Sequence, residues 1–319
     1  MSRDLKERVE LPQNTAPESL PQRKSGGQGL AKLAAGMAAL SLVISCAALV
    51  LTLSPARPGK NEGSAPAVRP GTVEAAPTIA YRDQQLPVFE DVAVNGYDQD
   101  LFAINDQGWV TYETSQGSAK IGVDVSAYQE NIDWEKVANS GIDFAMIRCG
   151  YRGYSKGVVV EDKLFRKNIK GALDAGLDVG VYFFSQATNV WEAQEEADYV
   201  LEAIEGYDIT YPVAFDWEFI DGVSRARTNG MEADDITRCA GAFCDMVAEA
   251  GYETLIYFNQ DLGYLYYELD VLKNYTFWLA EYRESPNFYY HFDLWQYTHR
   301  GKVPGIEGYV DLNLDLRGT

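Results

Sequence analysis

The chain has 319 residues, 46% of them hydrophobic, a formal net charge of -20 and only two histidines, His291 and His299. That length and apolar content can bury one sizeable core with segments to spare. Two histidines argue against a multi-histidine zinc site or a Ser-His-Asp triad, and the charge argues against nucleic acid, whose phosphates ask for a basic surface, so chemistry would fall to carboxylates.

Residues 1–32 form a leader of mixed charge. Leu33 to Leu53 is an uncharged apolar run of 21 residues, which as a helix spans roughly 31 Å, close to the hydrocarbon thickness of a bilayer. A cleaved signal peptide has a shorter apolar core and a short basic leader, so a transmembrane signal-anchor helix over 33–53 is expected. An alternative is a lipoprotein anchored at Cys46, because Val43-Ile44-Ser45-Cys46 resembles a lipoprotein cleavage box, although the apolar run continues to Leu53. Arg23, Lys24 and Lys32 flank one side and Arg57, Lys60 and Arg69 the other, so the positive-inside comparison is indecisive. Residues 54–78 carry Pro55, Pro58, Pro66, Pro70 and Pro77 among Ala, Gly and Ser, a composition that favours an extended, solvated linker.

Residues 79–118 show short strand-like pieces: Leu86 to Val94 running into the turn pair Asn95-Gly96, then Leu101 to Ile104 and Trp109 to Tyr112 around Asp106-Gln107-Gly108. So short a stretch is too small for a core of its own. It is expected to be a β-appendage packed on the C-terminal domain, with no role readable from its residues.

Residues 119–319 alternate strand and helix. Strands are expected over Ile121 to Val125, Phe144 to Cys149, Asp178 to Phe184, Tyr211 to Phe219, Thr254 to Phe258, Phe277 to Ala280, Phe292 to Tyr297 and Gly308 to Leu312. Helices are expected near Glu135 to Ser140, over Lys163 to Ala175 ending at Gly176, over Val190 to Glu205, and over Ala233 to Ala250 ending at Gly251. Short apolar strands separated by helices indicate a parallel sheet with crossovers. Eight of them in about 200 residues indicate an α/β fold of the (β/α) barrel kind, with fewer helices near its end. Cys239 and Cys244 are poorly spaced for a bridge across one helix face, so buried free thiols are expected there; a bridge from Cys149 to one of them stays open.

The most informative stretch is Phe215-Asp216-Trp217-Glu218-Phe219-Ile220. On a strand, residues two apart share a face, so Asp216 and Glu218 would lie side by side. Two acids together in a sealed core are too costly, so the strand end should open into a polar cleft. A close carboxylate pair in a cleft is the apparatus of glycoside hydrolysis. Catalytic groups of such barrels stand at the carboxyl ends of the strands, which would bring Asp124 and Asp311 to the same mouth. Tyr182, Phe184, Tyr257, Trp278, Tyr282, Trp295 and Tyr297 fall at comparable positions. They are candidates to stack on sugar rings, with ordinary core packing as the competing reading of each.

With these features the chain resembles the glycoside hydrolase family 25 lysozymes, N-acetylmuramidases that cut peptidoglycan. The resemblance covers about 120–316 and rests on Gly122 to Gln129, Ile132 to Trp134, Phe144 to Arg148, Gly180 to Tyr182, Asp216-Trp217-Glu218, Trp278 to Tyr282, Leu294 to Tyr297 and Gly308 to Asn313. It implies an irregular, TIM-like barrel of eight strands with fewer than eight helices. It also implies cleavage of the β-1,4 bond between N-acetylmuramic acid and N-acetylglucosamine, with the family's acidic positions on Asp124, Asp216, Glu218 and Asp311.

Glu218 would be the general acid, its pKa raised by neighbouring carboxylates and partial burial. Asp216 would stay ionised and either support the substrate's own 2-acetamido group as nucleophile or stabilise the oxocarbenium-like charge directly. Asp124 and Asp311 would support the pair. No cofactor and no metal are expected. The expected partners are peptidoglycan glycan strands and, through the N-terminal helix, the cell membrane, with the N-terminus cytoplasmic and a monomeric catalytic domain outside. The alternatives are an inactive wall-binding module, a chitinase-like endo-N-acetylglucosaminidase and, last, a hydrolase using its carboxylates to hold Mg²⁺ or Ca²⁺.

Overall fold

A computed structural model describes residues 76–319; the expected signal-anchor helix and most of the linker lie outside them. Among the described residues no helix is long and apolar enough to cross a membrane. Two hairpins come first, β1 (Thr78–Tyr81) with β2 (Gln84–Pro87), and β3 (Phe102–Ile104) with β4 (Val110–Tyr112). The barrel comes next: β5 (Lys120–Val125), β6 (Phe144–Arg152), β8 (Asp178–Ser185), β9 (Val213–Trp217), β10 (Thr254–Asn259), β11 (Thr276–Ala280), β12 (Leu294–Gly301) and β13 (Val310–Asp315), with a short β7 (Val159–Glu161) hydrogen-bonded to the end of β6. These eight strands close on themselves, β13 pairing with β5 and β5 with β6.

The expected all-parallel order fails at one strand. β12–β13 and β13–β5 are antiparallel, while the six other pairings are parallel. The segment between β12 and β13 is only 302–309, too short for the crossover that parallel strands require. It can only turn back as a hairpin.

Helices cover part of the barrel's outside. α1 (Trp134–Asn139), α2 (Phe165–Asp174), α3 (Val190–Ile204) and α4 (Ala233–Glu249) join successive barrel strands, and α5 (Gln260–Leu265) and α6 (Leu269–Leu272) lie between β10 and β11. Asp133 and Asn189 cap α1 and α3 by accepting from the backbone N–H of Lys136 and Glu192, which satisfies donors the first turn leaves open. Gly176 and Gly251 come just after α2 and α4 with φ of 80° and 93°, the left-handed conformation that ends a helix at least cost in glycine. Cys149, Cys239 and Cys244 are buried free thiols.

No helix lies between β11 and β12, or between β12 and β13. The appendage covers that side instead. Phe102 packs edge-on against Trp295 at 5.4 Å, Tyr97 against Phe292 at 5.2 Å, and Trp109 Nε1 donates to Lys302 O at 3.1 Å. Asn95 N donates to Tyr289 O at 2.9 Å, and His291 N to Ala93 O at 2.8 Å. Tyr81 Oη and the Arg82 guanidinium bind Asp261 on α5. Residues 76–118 therefore do for β12 what helices do elsewhere. The strand expected over Leu86 to Val94 stops at Pro87, because β1 begins at Thr78 and offers no further partner.

Candidate active site

The alternation of side chains sorts each barrel strand into an inner and an outer face. Phe144, Met146, Tyr182, Tyr211, Ala214, Leu255, Tyr257, Trp278 and Leu294 pack together inside. Val123, Ile147, Val181, Phe215, Ile256, Leu279 and Trp295 join the layer between barrel and cover. On this parity Asp124, Asp216, Gln296 and Asn313 are inward, above the apolar floor.

The strand ends bring the acids to one mouth. Asp124 is the penultimate residue of β5, and Asp216 that of β9. Asp311, expected at the carboxyl end of a strand, is instead the second residue of β13. Because β13 runs backwards, its beginning meets the end of β5, and Asp311 stands opposite Asp124. β9 ends at Trp217, so Glu218 lies just past the strand rather than within it.

Asp216 is 6% exposed, while Glu218 is only partly buried. Asp216 has its pKa pushed well above the usual range, first by burial, then by the charges of Glu218 and Asp124, with Arg148 pulling the other way. This differs from the expectation that Asp216 stays ionised. Its loss of solvation, invisible in a one-dimensional pattern, makes it more proton-retentive than expected. Asp216 Oδ1 is buried without a hydrogen-bond partner in the protein.

Asp124 stands in a different setting. Its Oδ2 accepts from Gln296 Nε2 at 2.8 Å and from Asn313 Nδ2 at 2.9 Å. Asn313 Oδ1 in turn accepts from Trp278 Nε1 at 2.8 Å, and Gln296 Oε1 accepts from the hydroxyls of Tyr257 and Tyr282 at 3.1 and 2.9 Å. Two amide donors thus hold one Asp124 oxygen beside the Asp216–Glu218 pair. Arg148 reaches the rim paired with the buried Asp162 at 2.7 Å, its guanidinium over the exposed Tyr128 ring at 5.2 Å.

The expected aromatic wall divides. Phe184 is partly exposed beside Asp216, and Tyr282 is 47% exposed at the rim. Tyr182 and Tyr257 lie beneath the acids, nearly buried. Three residues are corrections to the expected sugar platforms. Trp278 is sealed in the floor, where its ring meets Tyr257 at 4.9 Å and its N–H supports Asn313. Trp295 and Tyr297 are on the outer face of β12, packed under the appendage, because their parity is opposite to that of Gln296.

Several residues that shape the site received no role from sequence. Gln296 and Asn313 are amides on otherwise apolar strands at inward parity, a signal that was available. Gln186 had no such signal. It is fully buried; its Nε2 donates to Glu218 O at 2.6 Å and to Ser185 O at 2.9 Å, while its Oε1 accepts from Thr228 Oγ1 at 3.0 Å. One amide thus ties together both ends of the loop that starts at Glu218. Gln186→Leu leaves a buried carbonyl and hydroxyl without partners and frees Glu218 to drift. The expected result is a fall in kcat of about ten- to a hundredfold with KM little changed, read by steady-state kinetics alongside a thermal melt. An unaltered kcat in a folded variant would show that the latch is irrelevant to the acid.

Among the described residues no group of three or more His, Cys, Asp or Glu side chains is arranged to hold a metal ion.

Comparison with known proteins agrees with this chemistry. The family model "Glycosyl hydrolases family 25" matches residues 123–306. The autolytic lysozyme of Clostridium acetobutylicum is 26% identical over 198 residues, a match covering 60% of this chain and 54% of that protein. Lysozyme M1 of Streptomyces globisporus is 26% identical over 283 residues, covering 84% of this chain and 86% of that one. The solved structure of the modular autolysin LytC from Streptococcus pneumoniae, in complex with a synthetic peptidoglycan ligand, superposes with a TM-score of 0.53 at 28% identity, covering 70% of this chain and 52% of that one. The chain thus spans just over half the length of two of these three relatives.

Proposed function

The chain belongs to glycosyl hydrolase family 25, and from that premise we propose that it is a membrane-tethered muramidase cleaving the β-1,4 bond between N-acetylmuramic acid and N-acetylglucosamine in peptidoglycan. One observation carries the reading: Asp124, Asp216, Glu218 and Asp311 gather at one end of the barrel, the Asp216 pKa is pushed up by burial and then by the charges of Glu218 and Asp124, and Asp216 Oδ1 is buried without a protein partner.

Asp216 is buried and its pKa is pushed up, which makes it a poor anionic nucleophile toward the anomeric carbon. That favours the substrate-assisted route, a recognised alternative to the two-carboxylate scheme. Glu218, the more exposed of the two, gives its proton to the leaving oxygen. Asp216 Oδ1 accepts from the N–H of the 2-acetamido group and orients its carbonyl oxygen to attack the anomeric carbon. The glycosidic C–O bond breaks as the C–O bond of an oxazolinium ring forms, and water then opens that ring with Glu218 as base. Phe184 and Tyr282 present rings along the groove, while Asp124 and Asp311 hold its negative field.

The tether rests on the uncharged run 33–53 and on the Pro-rich residues 54–78 next to it. A substrate outside the cytoplasmic membrane puts the N-terminus in the cytoplasm and the barrel outside, within linker reach of the producer's own wall. A single experiment reads both claims. Membrane and soluble fractions of cells expressing the whole chain are incubated with purified peptidoglycan, and the new reducing ends are identified by mass spectrometry. Activity is expected in the membrane fraction, with N-acetylmuramic acid at the new reducing end. N-acetylglucosamine there would identify an endo-N-acetylglucosaminidase, absence of any cleavage a wall-binding module, and activity confined to the soluble fraction would remove the tether.

A further inference from the structure

One aromatic side chain at the mouth is held firmly although little of it is buried. Tyr128 is 56% exposed and lies in the single turn, Ala127–Gln129, that follows β5. Ser126 and Gln129 close that turn reciprocally: the Ser126 hydroxyl accepts from Tyr128 N at 3.2 Å, and Gln129 Oε1 accepts from Ser126 N at 2.9 Å. The turn ends at Glu130 with a φ of 52°, a left-handed conformation that a residue with a Cβ keeps only where its surroundings enforce it. One oxygen of the buried Asp162 accepts from Ala127 N at 3.0 Å and from Arg148 Nε at 2.9 Å, with Arg148 Nη2 2.7 Å away. The Arg148 guanidinium in turn meets the rings of Tyr128 and Tyr151, at 5.2 and 5.6 Å from their centres. Part of the Tyr128 ring thus rests on a cation that is itself pinned, and the rest stands in solvent.

The barrel sets its place relative to the acids. Met146 points inward and pairs with Asp124, so Arg148, two residues on, is inward and one step nearer the mouth. From there its charge reaches Asp216 and Tyr182. Tyr128 is therefore one guanidinium away from the acid pair. Round the rim the order is Tyr128 after β5, Arg148 on β6, Phe184 on β8, Asp216 and Glu218 at the end of β9, and Tyr282 after β11. The exposed rings of Tyr128 and Tyr282 flank the acids from opposite sides.

Fixing an exposed ring adds little to the stability of the free protein, because its open surface stays in water. It does reduce the ordering entropy lost when a flat apolar surface is laid on it. Pyranose rings supply such a surface: their axial C–H bonds make an apolar face on an otherwise polar sugar. We propose that Tyr128, braced by Arg148, is a stacking platform for a sugar ring of the glycan beyond the two joined by the cleaved bond, on the opposite side of the acids from Tyr282. This rests on the muramidase reading and deepens it, because such a platform rewards glycan strands long enough to cross the mouth.

The test measures kcat and KM of the whole chain and its Tyr128 variants on long peptidoglycan glycan strands. Tyr128→Ala and Tyr128→Leu are both expected to raise KM about five- to tenfold, the scale of one lost apolar ring face, with kcat little changed. Leucine still covers the Arg148 guanidinium but offers no flat face, so it carries the test should the alanine variant fail to melt cooperatively. Tyr128→Phe and Tyr128→Trp, which keep a flat face without the tyrosine hydroxyl, should return KM to the wild-type range. An unchanged KM in Tyr128→Leu, or a Tyr128→Phe as impaired as Tyr128→Leu, overturns the platform and leaves the muramidase reading standing. So does a fall in kcat with a displaced pH profile at constant KM, the result expected if Tyr128 merely covers Arg148 and acts through it on Asp216. A wild type that cleaves no glycan overturns both readings.

Discussion

Glu218→Gln is expected to abolish lysis of purified cell walls while leaving the fold intact. The substitution keeps the side chain's size, but an amide has no proton to give a leaving alkoxide. General-acid catalysis contributes about 10²–10⁴ in rate, and turbidity loss of a wall suspension falls below detection in that range. Stability should move the other way. The charge of Glu218 adds to burial in pushing the Asp216 pKa up, so replacing it with a neutral amide eases that interaction, and the thermal midpoint should hold or rise. Near-normal lysis by a folded Glu218→Gln protein would remove Glu218 from the acid role. A lost melt would show instead that the residue is structural. Asp216→Asn separates the two members of the pair: the amide oxygen can still accept from the acetamido N–H, but it lacks the carboxylate charge that supports the positive charge developing on the oxazolinium ring, so it too should be severely impaired in kcat.

The acids were legible in the chain because each is an expensive residue in or just after a short apolar strand, and their expense has one economical resolution, a shared polar mouth. The order of the eight strands was legible for the same reason. Strand direction was not. Side-chain parity is identical whichever way a strand runs, so nothing in Val310 to Asp315 announces that Asp311 reaches the mouth from the start of a reversed strand. The inner and outer faces of β12 were equally hidden. A strand covered on both sides is apolar on both sides, and Trp295 reads like Trp278 until one knows that Gln296 is the residue pointing in. Gln186 lies just beyond β8, where a polar residue is ordinary, and its function exists only through a loop that returns 42 residues later at Thr228. The raised pKa of Asp216 depends on burial and on the charges of Glu218 and of Asp124, which comes from another strand.

The same blindness hides the appendage's importance, and it leads to a large effect on stability. A fragment beginning at residue 119, which retains every barrel strand, is expected not to fold cooperatively, whereas a fragment beginning at residue 76 should. The family match starts only at residue 123, so the shorter fragment is the natural one to express. Yet no helix joins β11 to β12 or β12 to β13, and the surfaces of Tyr290, Phe292, Trp295 and Tyr297 are buried with Phe89, Tyr97, Phe102 and Val110 against or beside them. Exposing a large apolar side chain costs about 1.5–3 kcal/mol, and a whole domain is stable by only about 5–15 kcal/mol. Three or four such losses, with the hydrogen bonds of Asn95, Tyr97 and Trp109 to the barrel, consume most of that margin. The apolar wall left behind would be an aggregation surface. Thermal melts monitored by near-ultraviolet circular dichroism, with dye binding as a measure of exposed apolar surface, compare the two fragments directly. A cooperative melt of the 119–319 fragment within a few degrees of the longer one would mean that the barrel wall needs no cover, and that residues 76–118 serve some purpose other than replacing its missing helices.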